Sequence, residues 1–111
     1  MKNRYLLLTT SLVFLAGTAL GHAAPVTENW ETNCTKCHGD DGKGQTKVGK
    51  KLQLKDYSDA KVQAEMKDEA ATKAIKEGLK DKDGKVLMKP SEGASADDVK
   101  ALIAYMRSFK K

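Results

Sequence analysis

The chain has 111 residues, with 20 Lys and Arg against 15 Asp and Glu, two cysteines, two histidines, two prolines and one tryptophan. That length holds one small domain and excludes a multidomain enzyme. The charge balance is too modest for a nucleic-acid partner, and the export signal described next removes one altogether.

The first segment reads as a leader. Lys2 and Arg4 make a basic start, Leu6 to Leu20 is uncharged and mostly apolar, and Gly21-His22-Ala23 places small residues three and one before a cut. This pattern predicts a secretory signal peptide over residues 1–23, cleaved after Ala23. Its apolar run falls short of the roughly 20 residues of a membrane span, so no stable membrane insertion is expected after cleavage. An uncleaved anchor is the alternative. The leader takes two of the 20 basic residues and none of the 15 acidic ones, so residues 24–111 keep a net charge of +3. A domain this small and hydrophilic has little core of its own and needs a staple. Two cysteines make one disulfide at most, so a cofactor is expected in the middle.

Thr27 is a plausible cap for a helix over Thr27–Cys37, running into the cysteines. Gly39, Gly42, Gly44 and Gly49 predict an irregular loop over residues 39–54. Ser58 or Asp59 opens a short helix to about Met66, and Asp68 caps another through Glu77, with Gly78 as its terminator. Asp83-Gly84 marks a turn, and Lys85 to Gly93 forms a loop containing Pro90. Ser95 caps a final helix, with Asp98 three residues on as a capping box. Val99, Leu102, Ile103 and Met106 form its apolar stripe at i, i+3, i+4 and i+7. No segment alternates as a strand does, so the predicted fold is all-α.

The chemistry sits in Cys34-Thr35-Lys36-Cys37-His38. C-x-x-C-H is the spacing of covalent c-type haem attachment. Residues i and i+3 share a face at a helix end, so both thiols reach the two vinyl groups on one porphyrin edge, and His38 at i+4 projects toward the iron. A zinc site would need four ligands, and residues 24–111 hold no second cysteine pair and no other histidine. A thioredoxin-like pair would need a βαβ setting, which the pattern lacks. Haem c, one per chain, is the expected cofactor.

The single histidine of residues 24–111 also excludes bis-histidine ligation within the chain. A thioether is the remaining strong ligand, from Met66, Met88 or Met106. Met106 lies on the apolar stripe, where methionine packs the core. Met66 ends a short helix, where packing is again the expected role. Met88 lies in the predicted loop two residues before Pro90, where a rigid backbone can aim it inward. Met88 is the expected distal ligand, with Met66 or an open sixth site as alternatives.

With these residues in hand, the chain resembles the small single-haem class I cytochromes c of bacteria. Trp30, four residues before Cys34, is similar to the aromatic of that family's first helix. Cys37-His38-Gly39 with Asp41-Gly42 and Gly44 resembles its loop after the attachment site. Lys76-Glu77-Gly78 and Asp83-Gly84-Lys85-Val86-Leu87-Met88 resemble the approach to its methionine ligand. Ala101 to Phe109 resembles its last helix. The resemblance implies three to five helices wrapped around one covalently bound haem over residues 24–111, with Trp30 packed across Leu102 and Tyr105. It also implies a backbone carbonyl after Gly49 that accepts the His38 imidazole N–H. Relatives often have proline there, where this chain has Lys50, and many have proline directly after the ligand methionine, where this chain has Lys89.

A His/Met haem has both axial positions filled in either oxidation state, leaving no vacancy for oxygen or peroxide, and both burial and a thioether ligand favour the ferrous form. The expected function is a soluble periplasmic one-electron carrier, monomeric and not an enzyme, that exchanges electrons with redox protein partners. Lys36, Lys43, Lys47, Lys50, Lys51, Lys85 and Lys89 surround the expected crevice in sequence, a positive rim suited to acidic docking surfaces. Asp40, Asp41, Asp56 and Asp59 lie among them, the composition of an ordinary solvated face. The alternatives are a haem protein with an open sixth site, gas-binding or peroxidase-like, and a haem subunit of a larger oxidoreductase.

Overall fold

The computed structural model describes residues 25–111; the expected leader and its cut lie outside the described residues. The first helix, α1 (Val26–Asn33), starts one residue before the position expected, with Pro25 rather than Thr27 at its N-cap. The Pro25 carbonyl accepts the Asn29 N–H at 3.1 Å, a role open to a residue that has no N–H of its own. The helix does not run unbroken into the cysteines. Cys34, at φ −122° and ψ −35°, interrupts it, and α2 (Thr35–His38) continues as one turn that ends at Gly39, φ 80°.

The loop expected over residues 39–54 contains a further helix, α3 (Lys47–Leu52). Gly39, Gly42 and Gly44 do break regular structure, each at positive φ. Thr46 then restarts it: its hydroxyl accepts the Gly49 N–H at 2.9 Å, and its carbonyl accepts the Lys50 N–H at 2.9 Å. Gly49 serves close approach instead of a turn, because a β-carbon there would collide with the carbonyls of Gly44 and Cys37. Asp59 caps α4 (Ala60–Glu65) as expected, accepting the Lys61 N–H at 2.7 Å. In α5 (Asp68–Glu77) Asp68 is the first helical residue and Lys67 stands at the cap. Asp68 and Glu69 act there through the helix dipole.

The absence of strands is corrected by a small hairpin. β1 (Leu79–Lys80) pairs antiparallel with β2 (Val86–Met88), Leu79 opposite Met88 and Lys80 opposite Val86, with a break in register between. Strands of two and three residues are too short to show alternation. The turn is made by the Asp81 carboxylate, which accepts the N–H groups of Asp83 and Lys85, both at 2.9 Å, with Gly84 at φ 83°. Ser95 and Asp98 form the expected capping box at the start of α6 (Ala96–Ser108), at 3.1 and 3.0 Å. The described residues hold six helical segments, one more than the upper end of the expected three to five, because the first helix is split at Cys34 and α3 is added. The fold remains predominantly helical.

The core lies where α6 crosses α1 and α5. Trp30, Cys34, Ile75, Val99, Leu102, Ile103 and Met106 form it, with Trp30 2% and Val99 1% exposed. Trp30 packs on Tyr105 at 5.6 Å between ring centroids and on Phe109 at 5.2 Å. Leu102 lies in the same cluster, so the predicted helix crossing is present. A polar lock ties α4 to α6. Buried Gln63 donates from Nε2 to the carbonyls of Tyr57 (2.6 Å) and Met106 (2.8 Å). Arg107 donates to the carbonyls of Gln63 and Met66 and pairs with Asp68 at 2.6 Å.

Candidate functional site

The C-x-x-C-H segment forms a hydrogen-bonded turn whose carbonyls are held from several sides. Cys34 accepts at its carbonyl the N–H groups of Cys37 (3.2 Å) and His38 (2.9 Å). The two cysteines therefore bracket one hydrogen-bonded turn, Cys34 at its cap and buried, Cys37 within it and half-buried. The Gly44 N–H reaches the His38 carbonyl at 2.8 Å, and the Thr46 hydroxyl donates to the Cys37 carbonyl at 2.7 Å. The Trp30 indole N–H donates to the Gly39 carbonyl at 3.0 Å. These bonds tie off the polar backbone groups that a helix end leaves without partners.

Cys34 and Cys37 are both free thiols. Cys34 belongs to the core, and its pKa is pushed up to about 11, first by burial and then by the neighbouring Cys37. His38 is flanked by Trp30 at 5.8 Å and by Tyr57, stacked at 5.4 Å and 26°. Burial lowers the His38 pKa, so the neutral, metal-binding form prevails. Its Nδ1 is buried and has no partner. The carbonyl after Gly49, Lys50's, does not accept it. That carbonyl instead receives the Gln53 N–H at 3.3 Å, at the end of α3. The reason is local: with lysine and not proline at 50, the segment becomes helical and its carbonyls point along the helix.

Met88 ends β2, half-buried and packed against the core cluster. It is therefore a strand residue, not the loop residue expected. Its backbone is pressed against the end of α5: a β-carbon on Gly78, φ 74°, would collide with the Met88 carbonyl and lie 2.9 Å from Pro90. The Ser91 N–H adds a bond to the Ile75 carbonyl at 2.8 Å. Met66 is also half-buried against the core, while Met106 is part of it, 7% exposed. Sequence reasoning missed Tyr57 and Thr46. Thr46 carried a signal in its capping position three residues before Gly49, masked by the run of glycines. Tyr57 carried none, because its neighbour His38 is remote in sequence.

Two free thiols one turn apart and a half-buried imidazole whose buried Nδ1 has no hydrogen-bond partner suit covalent attachment and ligation of haem. Among the described residues no group of three or more His, Cys, Asp or Glu side chains could hold a bare metal ion. The cytochrome c family model matches residues 23–110. The chain is similar in structure to the KustC0563 c-type cytochrome, with a TM-score of 0.64 and 34% identity over 77% of this chain and 96% of that one. It is also similar to a Tyr-to-Phe mutant of Kustc0563, with a TM-score of 0.62 and 32% identity over 77% of this chain and 98% of that one. Comparison with curated proteins gives no match.

Proposed function

The chain belongs to the cytochrome c family, whose members carry covalently bound haem c and transfer electrons, and from that premise we propose an exported one-electron carrier with His38 and Met88 as its axial ligands. The observation that carries the reading is the turn holding two free thiols and a half-buried imidazole whose buried Nδ1 has no partner. When bound, the haem supplies an iron that changes oxidation state by one electron. Cys34 and Cys37 would anchor its edge through thioethers, and His38 would present a ring nitrogen from the adjoining turn. Met88 would supply the second ligand, from a strand end whose carbonyl lies against Gly78. The core around Trp30 and Ile75 would keep water from the ring, which together with the thioether favours the reduced state. With both His38 and Met88 holding the iron, no position would be open to a substrate, which favours a carrier over an enzyme.

Residues 1–23 would direct export to the periplasm and leave a soluble, monomeric domain from residue 24 onward. No helix among the described residues is long and apolar enough to cross a membrane. The partners would be redox proteins. The test is the absorption spectrum of the matured protein beside Met88→Ala and Met66→Ala. The wild type and Met66→Ala should show the weak far-red band of methionine on ferric haem, and neither should bind carbon monoxide when reduced. Met88→Ala should lose the band and bind carbon monoxide. Loss of the band in Met66→Ala instead would move the ligand to Met66. Carbon monoxide binding by the wild type would replace the carrier with an open-site haem protein.

A further inference from the structure

The His38 ring has no hydrogen bond at Nδ1, so nothing polar fixes its orientation directly. What fixes it is the turn that carries it, together with the flanking rings of Trp30 and Tyr57. We propose that Thr46 is a positioning residue for the proximal ligand, clamping the attachment turn to α3 through its hydroxyl. The inference rests on the reading of His38 as an iron ligand.

The geometry gives that hydroxyl two tasks at once. It accepts the Gly49 N–H at 2.9 Å, which caps α3, and it donates to the Cys37 carbonyl at 2.7 Å. A hydroxyl has one proton to give and lone pairs to receive, so both bonds can be held together. The Cys37 carbonyl belongs to the peptide unit that leads into His38, so the clamp acts on the bond from which the imidazole hangs. Gly49 lets the two segments meet this closely, since a side chain there would strike the same Cys37 carbonyl. The bond from the Gly44 N–H to the His38 carbonyl closes the other side of the unit. The arrangement depends on Lys50: its N–H supplies the bond to the Thr46 carbonyl that starts α3, and a proline at 50 could not make it.

The test compares Thr46→Val, which keeps the shape and loses both bonds, with Thr46→Ser, which keeps both. Each is prepared as the haem-loaded protein. The readouts are the midpoint potential and the hyperfine-shifted haem methyl resonances of the ferric state, which report the plane of the axial imidazole. Thr46→Val is expected to alter the spread of the methyl resonances and shift the potential, with Thr46→Ser close to wild type in both. A Thr46→Val protein with a lower melting temperature but wild-type resonances and potential would reduce Thr46 to a helix cap and overturn the proposal. If Thr46→Val does not mature, Thr46→Ala at low temperature, measured the same way, decides by the same readouts. Failure of the His38 assignment itself would show differently, as a wild-type spectrum without a histidine-ligated iron.

Discussion

At the scale of single residues, the decisive features are backbone positions that tolerate no side chain. Gly78 ends α5 in the left-handed region, at φ 74°, and the segment from Met88 to Pro90 lies directly on its Cα. An alanine would meet both the cost of a backbone conformation open essentially only to glycine, φ 74° and ψ −176°, about 1–3 kcal/mol, and the collision with the Met88 carbonyl. Gly78→Ala should therefore lower stability by more than that penalty alone. It should also loosen the backbone that presents Met88, weakening the far-red band, whereas Gly84→Ala, at a position with open space around it, should leave the band unchanged. Thermal melts paired with the ferric spectrum check both. Gly78 was legible in the sequence as a helix terminator, since such glycines end helices whatever surrounds them. Its contact with Met88 was not, because two segments meeting across a hairpin leave no mark in either one.

Among the elements, legibility follows the range of the interactions. The caps at Asp59 and Ser95, the terminator Gly78 and the apolar stripe of α6 are local patterns, and each is present where expected. The helix α3 and the hairpin were not read. The first depends on Thr46 and Lys50 overriding a glycine-rich composition, the second on one carboxylate organising a turn between very short strands. The C-x-x-C-H motif was legible because it occupies five consecutive residues, but the break of the helix at Cys34 and the clamp from Thr46 were not. The lock between α4 and α6 is a long-range feature of the same unreadable kind. Gln63 is 5% exposed and its amide satisfies two carbonyls, one from Tyr57 and one from α6. Gln63→Ala should leave the Tyr57 carbonyl without a donor and the Met106 carbonyl with only the Phe109 N–H at 3.3 Å, and cost about 1–3 kcal/mol, seen as a lower urea midpoint. Gln63→Glu should be destabilising too, because a carboxylate has no proton to give those carbonyls. Retention of wild-type stability by both variants would show that the lock contributes nothing to the fold.

For the whole molecule, the question is how such a small domain finds a partner. Lys36, Lys47, Lys50, Lys51, Lys85 and Lys89 are exposed and Lys43 is half-buried. Among the described residues none of them is salt-bridged; the ion pair found is Arg107 with Asp68. Apart from Lys43, whose charge acts on Asp56, they have no ion-pair partner within the fold, although acidic residues lie nearby in sequence. Unpaired surface lysines attract an acidic surface over about a Debye length, roughly 8 Å at physiological ionic strength. If they steer encounter, the bimolecular rate of electron transfer to an acidic acceptor should fall as salt rises from low to high concentration. Replacing Lys50 and Lys51, the adjacent pair on α3 beside the attachment turn, with glutamine should flatten that dependence while leaving the absorption spectrum intact. A rate independent of salt in the wild type would mean that these lysines are only a solvated face, and that recognition rests on the shape and apolar contacts of the surface around the haem.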